Sequence, residues 1–157
     1  MGATTKTLYE TDFAEWSTRT ADLLRQGRLD AADVENVAEE IEALGRSERA
    51  AVRSQLLRLL MHLVKQRIQP ERDGSSWRGS IVAARREILL HLEDSPSLRR
   101  HLLDTLQATW RMAINDALAE TGLTARANEF DLPKTCPCSL DQLIDGDLDD
   151  LWPRHQS

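Results

Sequence analysis

The sequence is poor in residues that interrupt helices and in residues that mark a known chemistry. Only seven glycines and five prolines punctuate its 157 residues. It has two cysteines, Cys136 and Cys138, which is too few for a disulfide framework. Their Cys-x-Cys spacing is neither the Cys-x-x-Cys of dithiol redox chemistry nor a full zinc set. Adding His155 gives three ligands, one of them near the terminus, so reduced structural thiols are the expectation. No run of about 18 apolar residues is present, which excludes a transmembrane helix by length. Residues 1–13 have no apolar signal core. Lys6 stands where a myristoylation motif has a small hydroxyl residue. A glycine-rich phosphate loop, a serine-nucleophile motif and HExxH are all missing. A cytoplasmic protein without membrane contact is therefore expected.

What is present is helix-forming. Hydrophobic residues make up 41% of the chain and charged residues 29%, the balance of a folded soluble domain. Leucine, alanine, arginine and glutamate are plentiful, and all favour helix. Thr11 or Asp12 opens a first helix, Asp12 with Glu15 having capping-box spacing, and Phe13, Trp16, Thr20, Leu23 and Leu24 form one face up to a stop at Gly27. Asp30 caps a second helix, with Val34, Val37, Ala38, Ile41 and Leu44 as its buried stripe and Gly45 as its end. Ser47 caps a third, whose Val52, Leu56, Leu59, Leu60, Leu63 and Val64, widened by Leu57 and Met61, predict neighbours on most sides. This central helix ends before Pro70. A fourth, capped by Ser75 or Ser76, buries Trp77, Ile81, Ala84, Ile88 and Leu92. Ser95 and Pro96 open a fifth, taken as the longest, which buries Leu98, Leu102, Leu106, Thr109, Ala113 and Ala117, with Trp110 and Ile114 on an adjoining side, before stopping at Gly122. Residues 123–137 read as an extended tail, and Ser139 with Gln142 opens a short last helix. The fold predicted is all-α, a single domain over residues 1–157. A bundle of about five main helices (core about 11–122) carries a packed tail (123–157), and Trp152 pins the end.

Charge is unevenly spread. Between Arg46 and His101, twelve basic residues face six acidic ones, and the remainder carries eight basic and twenty acidic. A basic middle between acidic ends either attracts a polyanion or is neutralised by its own ends, and the second is favoured.

Several stretches together resemble a known family. They are residues 35–48 (ENVAEEIEALGRSE), Leu60-Met61-His62-Leu63 running to Gln69-Pro70-Glu71-Arg72, Ser76-Trp77-Arg78, residues 93–98 (EDSPSL), Cys136-Pro137, and residues 139–143 (SLDQL). In order and content they are similar to the Domain of Unknown Function 29 family, from about Leu8 to Trp152. The resemblance implies a small all-helical bacterial protein of the cell interior. It carries no activity and no functional residue with it.

Two constellations of side chains are candidates for chemistry. Glu35, Asn36, Glu39 and Glu40 on the second helix, with His62 and His91, form a possible metal or acid–base set. The Glu-x-x-His signature of metal-binding bundles is absent, and the acids lie opposite the apolar stripe, as a solvated face would. His62 is expected to be a hydrogen-bonded histidine near Gln55 and Gln66, and Glu87 with His91 an i, i+4 pair. The other set, Lys65, Arg67, Arg72 and Arg78 beside Trp77, Arg85 and Arg86, is a candidate anion or nucleic-acid site. The sequence pI near 5.2 argues against a dedicated nucleic-acid binder, and salt bridges to the acidic helix are the preferred reading. The function expected is non-enzymatic: a module that binds a protein partner or itself. A metal-binding or hydrolytic bundle built on His62 with Glu35, Glu39 or His91 is the alternative, and nucleic-acid binding through Lys65–Arg78 a further one. No cofactor is implied.

Overall fold

The computed structural model describes residues 4–28 and 30–152. Among these residues there is no strand, and the fold is all-α as predicted. Six α-helices follow in order: α1 (Thr5–Thr11), α2 (Phe13–Arg25), α3 (Ala31–Ile68), α4 (Ser75–Asp94), α5 (Leu98–Thr121) and α6 (Leu140–Asp145). Short 3₁₀ helices occupy Pro70–Arg72 and Thr124–Glu129, the second lying in the stretch read as an extended tail. By its contacts the chain divides into two compact units, residues 1–47 and 48–157.

The largest difference from the sequence prediction is at Gly45. The second and third predicted helices are one helix, α3, and it rather than α5 is the longest. A glycine inside a helix costs about 1 kcal/mol relative to alanine, and here strong helix formers stand on both sides of it. With no proline nearby to remove a hydrogen bond, that cost does not break the helix.

The first unit is built around rings. Asp12 caps α2 by accepting the Glu15 N–H at 3.0 Å. Trp16 and Leu8 are buried, and Tyr9 meets the Trp16 ring edge-on at 4.8 Å between centroids. Phe13 lies 5.2 Å from Trp16 but stays half exposed. Gly27 ends α2 at φ 67°, the left-handed conformation that glycine adopts at least cost. Asp30 caps α3, its Oδ1 accepting the Asp33 N–H at 2.9 Å. A buried α3 stripe is not found. Val34, Ile41 and Leu44 are 51%, 63% and 68% exposed. The periodicity was real, but α1 and α2 do not cover that face.

The second unit holds the hydrophobic core. Val52, Leu56, Leu59, Leu60, Leu63, Val64 and Ile68 from α3 interlock with Ile81, Ala84 and Ile88 of α4 and with the Leu98–Leu118 face of α5. Each large aliphatic side chain buried in this way contributes about 1.5–3 kcal/mol. The predicted α5 face is reproduced in full, with Trp110 and Leu118 added to it. α4 begins without a side-chain cap, Gly74 taking the cap position, and Ser95 closes α4 instead of opening α5. α5 ends at Gly122 with φ 71°. Leu140, Leu143 and Ile144 of α6 then pack back onto the core. The Ser139 hydroxyl and Gln142 side chain complete the predicted capping box.

Candidate functional site

The basic set of the second unit is largely spoken for. Lys65 is buried, and its Nζ donates to Glu120 Oε2 on α5. Arg67 lies over the Trp152 ring, 5.3 Å from its centroid. Trp152 in turn meets Trp110 edge-on at 5.4 Å, which is the pin predicted for this residue. Trp110 Nε1 donates to the Pro133 carbonyl at 2.9 Å. Arg78 pairs with Asp149 at 2.6 Å, and Arg99 with Asp141 at 2.6 Å. Three side chains of the basic middle, Lys65, Arg78 and Arg99, thus pair with acids from the C-terminal third of the chain. The preferred reading named the acidic helix instead, and Lys65 and Arg78 do not use it. Arg72 stays exposed.

Arg85 has a different role. Its Nε donates to the Leu143 carbonyl at 2.9 Å and its Nη1 to the Gly146 carbonyl at 2.8 Å. These oxygens belong to the C-terminal end of α6, where carbonyls have no helical partner and a cation is favoured by the dipole. Burial draws the Arg85 guanidinium below its ordinary pKa, partly offset by Asp145 and Asp147. The sequence placed Arg85 in the basic set, and no local signal identified it as a cap for a helix some sixty residues onward.

His62 is half-buried on α3, and its Nδ1 is buried with no hydrogen-bond partner among the described residues. Gln55 Oε1 is likewise unpartnered, and Gln66 donates to Asp73 at 2.8 Å. The predicted hydrogen-bonded histidine is therefore a packed ring. Burial pushes its pKa down, and the Lys65 and Arg58 charges add to that, with Glu120 opposing. His91 faces Glu48, Nδ1 to Oε2 at 3.4 Å, instead of Glu87, which turns to Arg86 at 3.8 Å. No three His, Cys, Asp or Glu side chains among the described residues converge to hold a metal ion. A shallow depression lined by Arg53, Ser54, Leu57, Thr109 and Met112 offers no acid–base pair.

Cys138 is buried and donates its thiol to the Leu151 carbonyl. Cys136 is half-buried, and its N–H donates to Gln107 Oε1 at 2.9 Å. Contact with Cys138 draws the Cys136 thiol below its ordinary pKa, and contact with Cys136 together with burial pushes the Cys138 thiol up. His155 lies outside the described residues.

In the first unit the acidic row meets α1 through Glu40. Tyr9 Oη donates to Glu40 Oε1 at 2.7 Å, joining α1 to α3, and this bond raises the Tyr9 pKa. Glu42 sits 3.8 Å from Arg46, an i, i+4 pair with both side chains mostly in solvent. Glu35 and Glu39 are exposed, and Asn36 is half-exposed. Across α3 from Glu35 and Glu39 runs the uncovered apolar face. Sequence reasoning identified the residues of that surface correctly but assigned them to the core.

A family model described as a domain of unknown function, DUF29, matches residues 8–148. The chain belongs to the DUF29 family. The match spans both units and ends just past α6. No curated protein and no solved structure matches the chain. In this DUF29 protein no described helix is long and apolar enough to cross a membrane.

Proposed function

We propose that this DUF29 protein is a non-enzymatic interaction module that works in the bacterial cytoplasm, and that α3 of the first unit carries its contact surface. One observation carries the reading: Ile41 and Leu44 are 63% and 68% exposed on a regular helical face. Single exposed apolar residues are ordinary, whereas a contiguous apolar face on a helix is the usual mark of a binding surface. The second unit also exposes Val82, Leu89, Leu90, Leu103 and Met112, each at 41–49%, less than either of those two. The basic set gives weaker support to nucleic-acid binding, because Lys65, Arg67 and Arg78 already have partners within the protein.

The test is photo-cross-linking in growing cells. A photoactivatable side chain at Ile41 is expected to give a discrete protein adduct, and one at Leu89 on α4 to give much less. No adduct at Ile41, with the protein at its native abundance, contradicts the proposal.

A further inference from the structure

Cys136 and Cys138 stand on either side of Pro137 just before α6. Cα atoms two residues apart are separated by at most about 7 Å even in an extended chain, and this chain bends at Pro137 and Cys138. A disulfide spans roughly 4.4–6.8 Å between Cα atoms, so the spacing allows one to close without moving a helix. Both residues are tied down. The Cys136 N–H donates to Gln107 Oε1 on α5 at 2.9 Å, and the Cys138 thiol donates to the Leu151 carbonyl. The two cysteine side chains touch each other. Among the described residues no third His, Cys, Asp or Glu joins them, which leaves the chemistry of two thiols.

The two thiols differ in access. Cys138 is 4% exposed and belongs to the core. Cys136 packs against that core but keeps part of its surface in solvent. Oxidants react with thiolates, and the susceptible thiol is the one that ionises more readily and can be reached. On both counts that is Cys136. Burial and the neighbouring sulfur keep Cys138 protonated until it is called on.

We infer that Cys136 and Cys138 form a peroxide-reactive pair that closes to a disulfide within one chain, with Cys136 as the attacking thiol and Cys138 as the resolving one. The Cys136 thiolate attacks one oxygen of a hydroperoxide. The O–O bond breaks, Cys136 becomes a sulfenic acid, and the other oxygen leaves and takes up the proton that the thiol had released. The Cys138 sulfur then attacks the Cys136 sulfur. The S–O bond breaks, and the hydroxide departs as water with the Cys138 proton. The two thiols lose two electrons and the peroxide gains them. A small-molecule thiol reverses the change by exchange. Closure also removes the S–H that Cys138 donates, so the Leu151 carbonyl loses its partner. Trp152, next in the chain, is then held less firmly against Trp110 and Arg67. The pair lies in the second unit and is independent of the contact surface on α3.

The test is treatment of the reduced full chain with a small excess of hydrogen peroxide, followed by intact mass and thiol count. Both thiols are expected to disappear together within one chain, with a mass loss of about 2 Da, and dithiothreitol to restore them. Cys138→Ser keeps a hydroxyl for the Leu151 carbonyl and is expected to stop at a sulfenic acid that dimedone captures. Cys136→Ser is expected to slow thiol loss more than tenfold with helicity by circular dichroism unchanged. Amide exchange over residues 148–152 is expected to rise severalfold in the disulfide form. Oxygen added to the wild type without loss of both thiols, or a disulfide only between chains, overturns the pair. Equal rates of thiol loss in the wild type and Cys136→Ser overturn the assignment of the attacking thiol. Unchanged exchange at residues 148–152 in the disulfide form overturns the link to Trp152.

Discussion

The two units of this DUF29 protein bury their helices to very different degrees. In the second unit one helix contributes seven aliphatic residues to a shared core, each 5% exposed or less. In the first unit the same helix leaves Val34, Ile41 and Leu44 in solvent, and two apolar side chains, Leu8 and Trp16, are buried. The first unit also holds Trp16 Nε1, Thr20 Oγ1 and Asp33 Oδ1 buried without hydrogen-bond partners. A buried polar group left unpaired costs about 1–3 kcal/mol, so this small unit has little surplus of its own. The aliphatic core lies in residues 48–157, and the uncovered apolar face of α3 in residues 34–44.

The sharpest way to break this contrast is to damage the second unit. Trp110 is fully buried, donates to Pro133 and packs on Trp152. Trp110→Ala is expected to cost about 3–5 kcal/mol, read as a lowered midpoint in denaturant unfolding. Glu120→Gln leaves the buried Lys65 ammonium with a neutral partner. Because Glu120 is 53% exposed, the loss is expected to be about 1–2 kcal/mol, below that of a fully buried pair. Gly122→Ala forces a side chain into a left-handed backbone at φ 71° and is expected to cost about 1 kcal/mol.

A pH titration sharpens the contrast further. The His62 pKa is held down in the fold by burial and by Lys65 and Arg58, whereas the unfolded chain takes up that proton near pH 6.5. The unfolded state therefore binds more protons as pH falls through about 6.5, and stability is lost there until the lower folded pKa is passed. Melting temperature is expected to drop between pH 7.5 and 5.5, and His62→Gln to flatten part of that drop. An equal drop in the variant removes His62 as its source.

Where the sequence was legible, the reason was local. Asp12, Asp30, Gly27, Gly122 and the Ser139–Gln142 box all act within a few residues of themselves, and all appear as read. The α5 face was legible because it is buried along its whole length. Gly45 misled because helix breaking depends on context, and its neighbours hold the helix. The Val34–Leu44 stripe misled for a different reason. Periodicity reports that a face is apolar, not what covers it. Arg85 capping α6 and Lys65 reaching Glu120 were out of reach, since nothing near either residue marks its distant partner.

The most direct measurement is the unfolding free energy of Ile41→Ser with Leu44→Ser. If this face is kept for contact, the pair is expected to stay within about 0.5 kcal/mol of wild type, as exposed positions do. A loss of about 2 kcal/mol or more, the size of a core truncation, would place these side chains in the protein's own core and contradict the account.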